Sequence, residues 1–300
     1  MVCFGRLLRT VLWIFCLAGC PLAPSLQAAS PETGDVAEIV RMAAATIESD
    51  WEAALDYAHI EKNEVLRNGV FTSRTSQVVM IAGSDYYLPL AINDEPLSPD
   101  RETAELQKLK AEFQRRNRES AETAKRRISG YNQAREEDGA LLREFPRAFD
   151  YELLREETLH EHSAWVLAAS PKPADRSLPA TRAAKILAGM RGTLWVDRQT
   201  FHVIQAEGNV VRSVPIYSIF AKVLPGTHIE TGMLPAADSF WFISELSMSL
   251  AVSKFFVFRS TEVTRSTYSG YRLNGPVVGE LLAKAELCAG RPSSCMYSGK

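Results

Sequence analysis

Two long blocks of the chain, residues 57–97 and 148–272, alternate apolar and polar residues, and residues 98–145 between them do not. Alternation with a period of two is the mark of strands with one buried face, whereas a period near 3.6 marks a helix. In the first block "YAHIEKNEVL" and "VFTSRTSQVVMIAG" flank Arg67-Asn68-Gly69. Asn-Gly is the strongest short hairpin signal, because a type I′ turn needs positive φ at both central residues. "SDYYLPLAI" and Asn93-Asp94 continue the meander. The second block supplies "AFDYELLREETLHEHSAWVLAAS", a loop "PKPADRSLP", a short helix near "ATRAAKILAGM", and then a run of long strands ending in "KFFVFRSTEVTRSTYSGYR". Strands do not alternate with helices, so the pattern predicts an α+β protein whose helices pack on one face of a large curved antiparallel sheet.

Helical spacing appears in two places. Ile39, Ala43, Ile47, Trp51 and Leu55 form a stripe over 35–55, with Asp35 and Glu38 where the helix dipole favours anions. Ser98 and Pro99 open the second, a cap followed by proline at the first helical position. Leu106, Leu109 and Phe113 give that segment a thin apolar face, and its middle is nearly all charged or small. It reads as one long helix or as two broken near Gly130. Arg115, Arg116, Arg118, Lys125, Arg126 and Arg127 suit a membrane surface, but acidic residues are nearly as numerous, and the reading adopted is a solvated surface helix, available to another envelope protein.

A net charge of −2 lacks the basic footprint of a nucleic-acid binder. Arg6 and Arg9, followed by Val11–Leu17, read as a secretory signal, since a membrane-spanning helix needs about 20 apolar residues. Cleavage has two candidate sites within 1–29. A cut before Cys20 follows the lipobox-like Leu17-Ala18-Gly19-Cys20 and leaves a cysteine for lipid attachment; a cut near Ala28 leaves no anchor. The expected location is the exported cell envelope, either periplasmic or lipid-anchored to the outer membrane. Cys288 and Cys295 remain in the body of the chain and favour a disulfide closing a short loop, with free thiols or half of a metal site as alternatives.

No nucleophile elbow, P-loop, dinucleotide fingerprint or His-Glu-x-x-His helix is present, and the expectation is a protein without catalytic residues or cofactor. His160-Glu161-His162 is the one metal-like grouping: on a strand, residues two apart share a face, so His160 and His162 are weak candidate ligands. The aromatic residues of the second block are more informative. Trp195, Phe220, Phe240, Trp241, Phe256 and Phe258 are candidates to line an apolar cavity, because "FFVF" places apolar side chains on both faces of one strand. A plain core accounts for many of the same residues.

"GTLWVDRQTFHVIQAEG" and "YSGYR" resemble strands of the outer-membrane lipoprotein carrier, or LolA/LolB-like, superfamily. The resemblance implies a half-open antiparallel β-barrel lidded by helices, spanning 30–275 with a helical insertion at 98–145 and a tail at 276–300. It also implies lipid or lipoprotein acyl chains as partners, bound and handed over without chemistry. Two alternatives stay open: an envelope interaction module whose half-barrel is filled by its own side chains, and a metal-binding protein using His160 and His162.

Overall fold

The computed structural model describes residues 35–172, 182–215, 221–237, 240–254 and 258–290. The signal segment, Cys20, Phe220, Phe256 and Cys295 lie outside them. Two compact units divide the chain, one from residues up to Glu52 with Arg135–Thr264, the other from Ala53–Ala134 with Arg265 onward. Every strand pair with a recorded register is antiparallel.

In the first unit, α1 (Val36–Ala53) precedes β5 (Phe149–Leu159), β6 (His162–Pro171), a short α4 (Arg182–Leu187), β7 (Met190–Asp197) and β8 (Val203–Val210). The short β9 (Val214–Pro215) and β10 (Ala221–Val223) follow, then β11 (His228–Ala237) and β12 (Phe240–Lys254). Neighbouring strands run β12-β11-β8-β7-β6-β5, with β10 beside β12, and this path does not close on itself. Four of the five residues of the predicted stripe, Ile39, Ala43, Ile47 and Trp51, are buried on α1 and with Val40 join Trp165, Leu167, Leu194, Val196 and Ile204 in one core, while Leu55 lies past the helix in the turn Ala54–Asp56. Close strand approach also has a sequence cause. A Cβ at Gly192 would meet the Glu207 carbonyl oxygen at 2.4 Å, so β7 and β8 meet there only because that residue has no side chain.

The second unit contains β1 (Tyr57–Arg67), β2 (Val70–Ile81), β3 (Ser84–Ile92) and β4 (Glu95–Pro96), then α2 (Pro99–Arg118) and α3 (Ala121–Ala148), which continues past Ala134. Its remaining elements are the end of β13 (Phe258–Leu273) and α5 (Asn274–Gly290). Asn68 and Gly69 have φ 53° and 77°, and Asn93 and Asp94 have 52° and 65°, so both predicted turns form. Leu106 and Leu109 of α2 pack with Val277, Val278 and Ala285 of α5 over Ala58, Val79, Ile81 and Leu88 of the strands. The α+β architecture, with an open antiparallel sheet and a helix-covered core in each unit, is the class the alternation predicts.

Two local readings need correction. The charged segment breaks at Glu119-Ser120, not near Gly130: Ser120 Oγ accepts the Thr123 amide at 3.3 Å, while Gly130 sits inside α3. The segment 276–300, expected as a tail, belongs in its described part to the helix Asn274–Gly290, which supplies Val277, Val278, Ala285 and Cys288 to a core. Asn274 seats it, its side chain accepting from Met80 N at 2.7 Å and donating to Met80 O at 2.9 Å as a strand neighbour would.

Candidate functional site

The most elaborate polar arrangement in the first unit surrounds Trp241. Asp50, near the end of α1, is only 7% exposed. Its Oδ1 accepts the Trp241 backbone N–H at 3.1 Å, and its Oδ2 lies 3.5 Å from His202 Nε2. The His202 ring stacks on the Trp241 indole at 5.3 Å and 11°. His162 meets the same indole at 4.7 Å and 64°, and its Nδ1 lies 3.1 Å from Asp197 Oδ2. One indole therefore separates two carboxylate–imidazole pairs. Thr46 adds a further tie from α1, donating to Phe201 O at 3.1 Å.

Each side chain reaches this place for a local reason. Asp197 ends β7 and organises the turn after it: its Oδ1 accepts from Gln199 N, Thr200 N and Thr200 Oγ1 at 2.9, 2.7 and 2.9 Å. The "LWVDRQT" stretch thus folds as a carboxylate-built turn that aims His202 inward. Burial raises the Asp50 carboxyl above the ordinary aspartate range; the His202 hydrogen bond and charge, and the Trp241 amide, pull the other way. His202 Nδ1 is buried without a hydrogen-bond partner, which fits a ring that carries its proton on Nε2 and gives it to Asp50. Chemically the arrangement is a joint between α1, the β7–β8 turn and the start of β12.

His160 and Glu161 are not strand residues. With φ 49° and 69° they form the two-residue turn between β5 and β6, so His160 does not share a strand face with His162 as the strand reading assumed. Among the described residues no group of three or more His, Cys, Asp or Glu could hold a metal ion. Both turn residues are exposed. Replacing them with Asn-Gly is expected to stabilise the protein by about 1 kcal/mol, by placing residues that tolerate positive φ on a left-handed backbone; urea unfolding of the double variant measures it.

The aromatic candidates separate. Trp195 and Trp241 lie in the core with α1, and Trp195 Nε1 donates to Glu157 Oε1 at 2.5 Å. Phe240 is half-buried and stacks with Phe242 at 6.4 Å. Phe258 begins β13, and nothing is described of its side chain. Sequence reasoning missed a different apolar group: Met248, Leu250 and Val252 of β12, with Val223 and Ile229, form a cluster of their own. Alternation along β12 was the signal that could have found it. Cys288, in α5, is buried and disulfide-bonded; Cys295, its expected partner, lies outside the described residues.

No family model matches the chain, and no curated protein matches it. It is similar to the solved structure of a LolA superfamily protein from Nitrosomonas europaea, at 12% identity and a TM-score of 0.32, over 79% of this chain and 92% of that one. A DUF1329 family protein from Desulfovibrio piger gives 12% and 0.34, over 81% and 94%. An outer membrane lipoprotein-sorting protein domain from Vibrio parahaemolyticus gives 11% and 0.32, over 81% and 99%.

Proposed function

We propose that this chain is an exported, non-enzymatic cell-envelope protein that binds a lipid or lipoprotein acyl chain, as a carrier or acceptor in lipoprotein sorting. The observation that carries the reading is the second apolar cluster of the first unit. Met248, Leu250 and Val252 are shielded from solvent, yet among the described residues their cluster holds strand residues alone. An apolar sheet face requires a cover, and α1 gives that cover to the neighbouring core only. An acyl chain is a cover of the right chemistry: each methylene moved out of water gains about 0.8 kcal/mol, and Met248 adapts to chains of differing shape. Loading then requires the present shield to move aside. No described helix is long and apolar enough to cross a membrane; a lipid on Cys20 would attach the protein if the chain is cut before that residue.

A second reading has its own support. The space between α1 and its strands is filled by Ile39, Ile47, Trp51, Trp165, Trp195 and Trp241, as expected of an interaction module without cargo. One experiment separates the two. The protein is isolated from the envelope of a bacterial host, its intact mass and extracted lipids are measured, and a dansylated undecanoic acid is titrated into it. Saturable binding that Met248→Trp weakens, with co-purifying lipid, is expected. Absence of both lipid and saturable binding leaves the module. The intact mass also decides between cleavage before Cys20 and cleavage near Ala28.

A further inference from the structure

We infer that His59, Tyr268 and Tyr271 form a binding site for an uncharged, hydroxyl-rich group, either the polyol head of a lipid or a free sugar. All three lie in the second unit. Successive strand residues point to opposite faces, so while Ala58 of β1 belongs to the core with α2 and α5, His59, Glu61 and Asn63 stand on the other face. His59 is opposed by Val78, and Val78 by Tyr87, which puts Tyr87 on that face too. Tyr268 and Tyr271 of β13 are three residues apart, and alternation alone would send them to opposite faces. Both rings nevertheless meet the His59 ring, at 5.8 and 5.2 Å. Gly270 between them resolves this: at φ 61° it adds the extra residue of a bulge, and glycine takes that backbone without strain. The "YSGYR" stretch thus brings two tyrosines onto one histidine.

Two polar groups at this place lack what a buried group requires. Tyr268 is 7% exposed, and among the described residues its hydroxyl has no hydrogen-bond partner. Ser266, fully buried on the same strand, accepts from Asn63 Nδ2 at 2.8 Å and forms no hydrogen bond with that hydroxyl. His59 is also 7% exposed, and among the described residues nothing hydrogen-bonds its ring. Each such group costs stability until something bonds it. A phenol and a neutral imidazole each offer a donor and an acceptor, and an alcohol is the complement of both. Charge of either sign is disfavoured here. Burial lowers the His59 pKa to about 4, so the ring carries no charge at neutral pH. Burial, then the charge of Glu61, raises the hydroxyls of Tyr268 and Tyr271, against a smaller pull from the nearby Ser266 on Tyr268. Tyrosine rings also give the C–H faces of a sugar or glycerol unit an apolar wall. Glu61, Asn63, Tyr87 and Tyr271 are only half-buried and give the site an approach from solvent.

The test follows the His59 ring by NMR of the full chain labelled in its histidine ring nitrogens, the His59 signals being identified by their absence in His59→Phe. The probes share a short alkyl tail and are kept below their micelle concentrations: octyl glucoside and monooctanoylglycerol carry a polyol, octanoate and octyltrimethylammonium a charge. The polyol probes are expected to shift the His59 signals saturably, and the charged ones to leave them in place. Tyr268→Phe is expected to weaken the polyol probes about tenfold, the worth of one hydrogen bond, with a urea midpoint equal to or above that of wild type. A hydroxyl already bonded in the free protein would instead lower the midpoint when removed. Free glucose and glycerol distinguish the sources: shifts at the same concentrations as the tailed probes mark a soluble sugar or polyol, and shifts with the tailed probes alone mark a lipid head. The inference is overturned if neither polyol probe moves the His59 signals, if the charged probes move them equally, if Tyr268→Phe binds as wild type does, or if its midpoint falls. The acyl-chain reading rests on β12 in the other unit, so the two fail separately.

Discussion

Trp241→Ala is expected to lower the unfolding free energy by about 4 kcal/mol, the range for a buried tryptophan cut to alanine, and to free α1 before the rest of its unit opens. The indole is the common wall of both imidazoles, and its backbone amide is held by Asp50. Trp241→Phe keeps an aromatic wall and is expected to cost less than half as much. Hydrogen exchange in α1 distinguishes loss of this joint from general loosening. Asp50 adds a pH dependence with a defined sign. Its folded carboxyl is raised above the ordinary value of 3.8. A raised carboxyl contributes stability that is complete below the unfolded value and is lost as pH rises through the folded one. Wild type should therefore lose stability relative to Asp50→Asn as pH rises from about 4 towards neutrality. A difference that stays flat across that range sinks the assignment.

Arg116→Ala is expected to cost about 3 kcal/mol, because it strips donors from a buried turn and leaves carbonyls unpaired. The side chain is 8% exposed. Its Nη1 lies within donor reach of Ile81 O, Ser84 O and Ser84 Oγ at 3.0, 2.9 and 2.9 Å, and Nη2 donates to Asp85 O at 3.1 Å. Arg127 reaches the same turn, donating to Ser84 Oγ at 2.7 Å and to Ala82 O at 3.0 Å. Arg116→Lys should recover less than half of the loss, since an ammonium lacks the planar fork. Glu112, which holds Arg116 Nε at 2.6 Å, is drawn down from 4.5 to about 2 by its bonds to Arg115 and Arg116. That contribution is whole above 4.5 and disappears as pH falls through about 2. Chemical denaturation of wild type and both variants at pH 7 and pH 3 tests the pair of statements.

Local chemistry was readable in the sequence where it was self-sufficient. Asn68-Gly69 and Asn93-Asp94 dictate their own backbone, and the Ile39–Trp51 stripe dictates a helix with one buried face. Val277, Val278, Leu281, Leu282 and Ala285 carry the spacing of a helix as well, but a short end bearing two cysteines has the look of a tail. His160-Glu161 gave little warning, since it lacks the glycine or asparagine that usually marks the left-handed backbone the β5–β6 hairpin imposes on it. The charged run of α2 and α3 looked solvated because charge density does not say which arginine turns inward. Arg126 stays in water, with its side chain 74% exposed, while Arg127 is 17% exposed and docks on the β2–β3 turn. The Trp241 joint could not be read locally at all: its central hydrogen bond links residues 191 apart.

The division of the chain has a consequence for how the molecule comes into being. Each unit is assembled from two stretches that are distant in sequence, and β13 begins in one unit and ends in the other. The core over β1, β2 and β3 is incomplete until Val277, Val278 and Ala285 are in place, and the core under α1 until Met233 and Trp241 are. A ribosome working from the N-terminus has therefore made most of the protein before either core can close. Contacts between distant stretches also slow folding once the chain is whole. The polypeptide spends its early life uncommitted, and the core over β1, β2 and β3 is sealed only when α5 arrives.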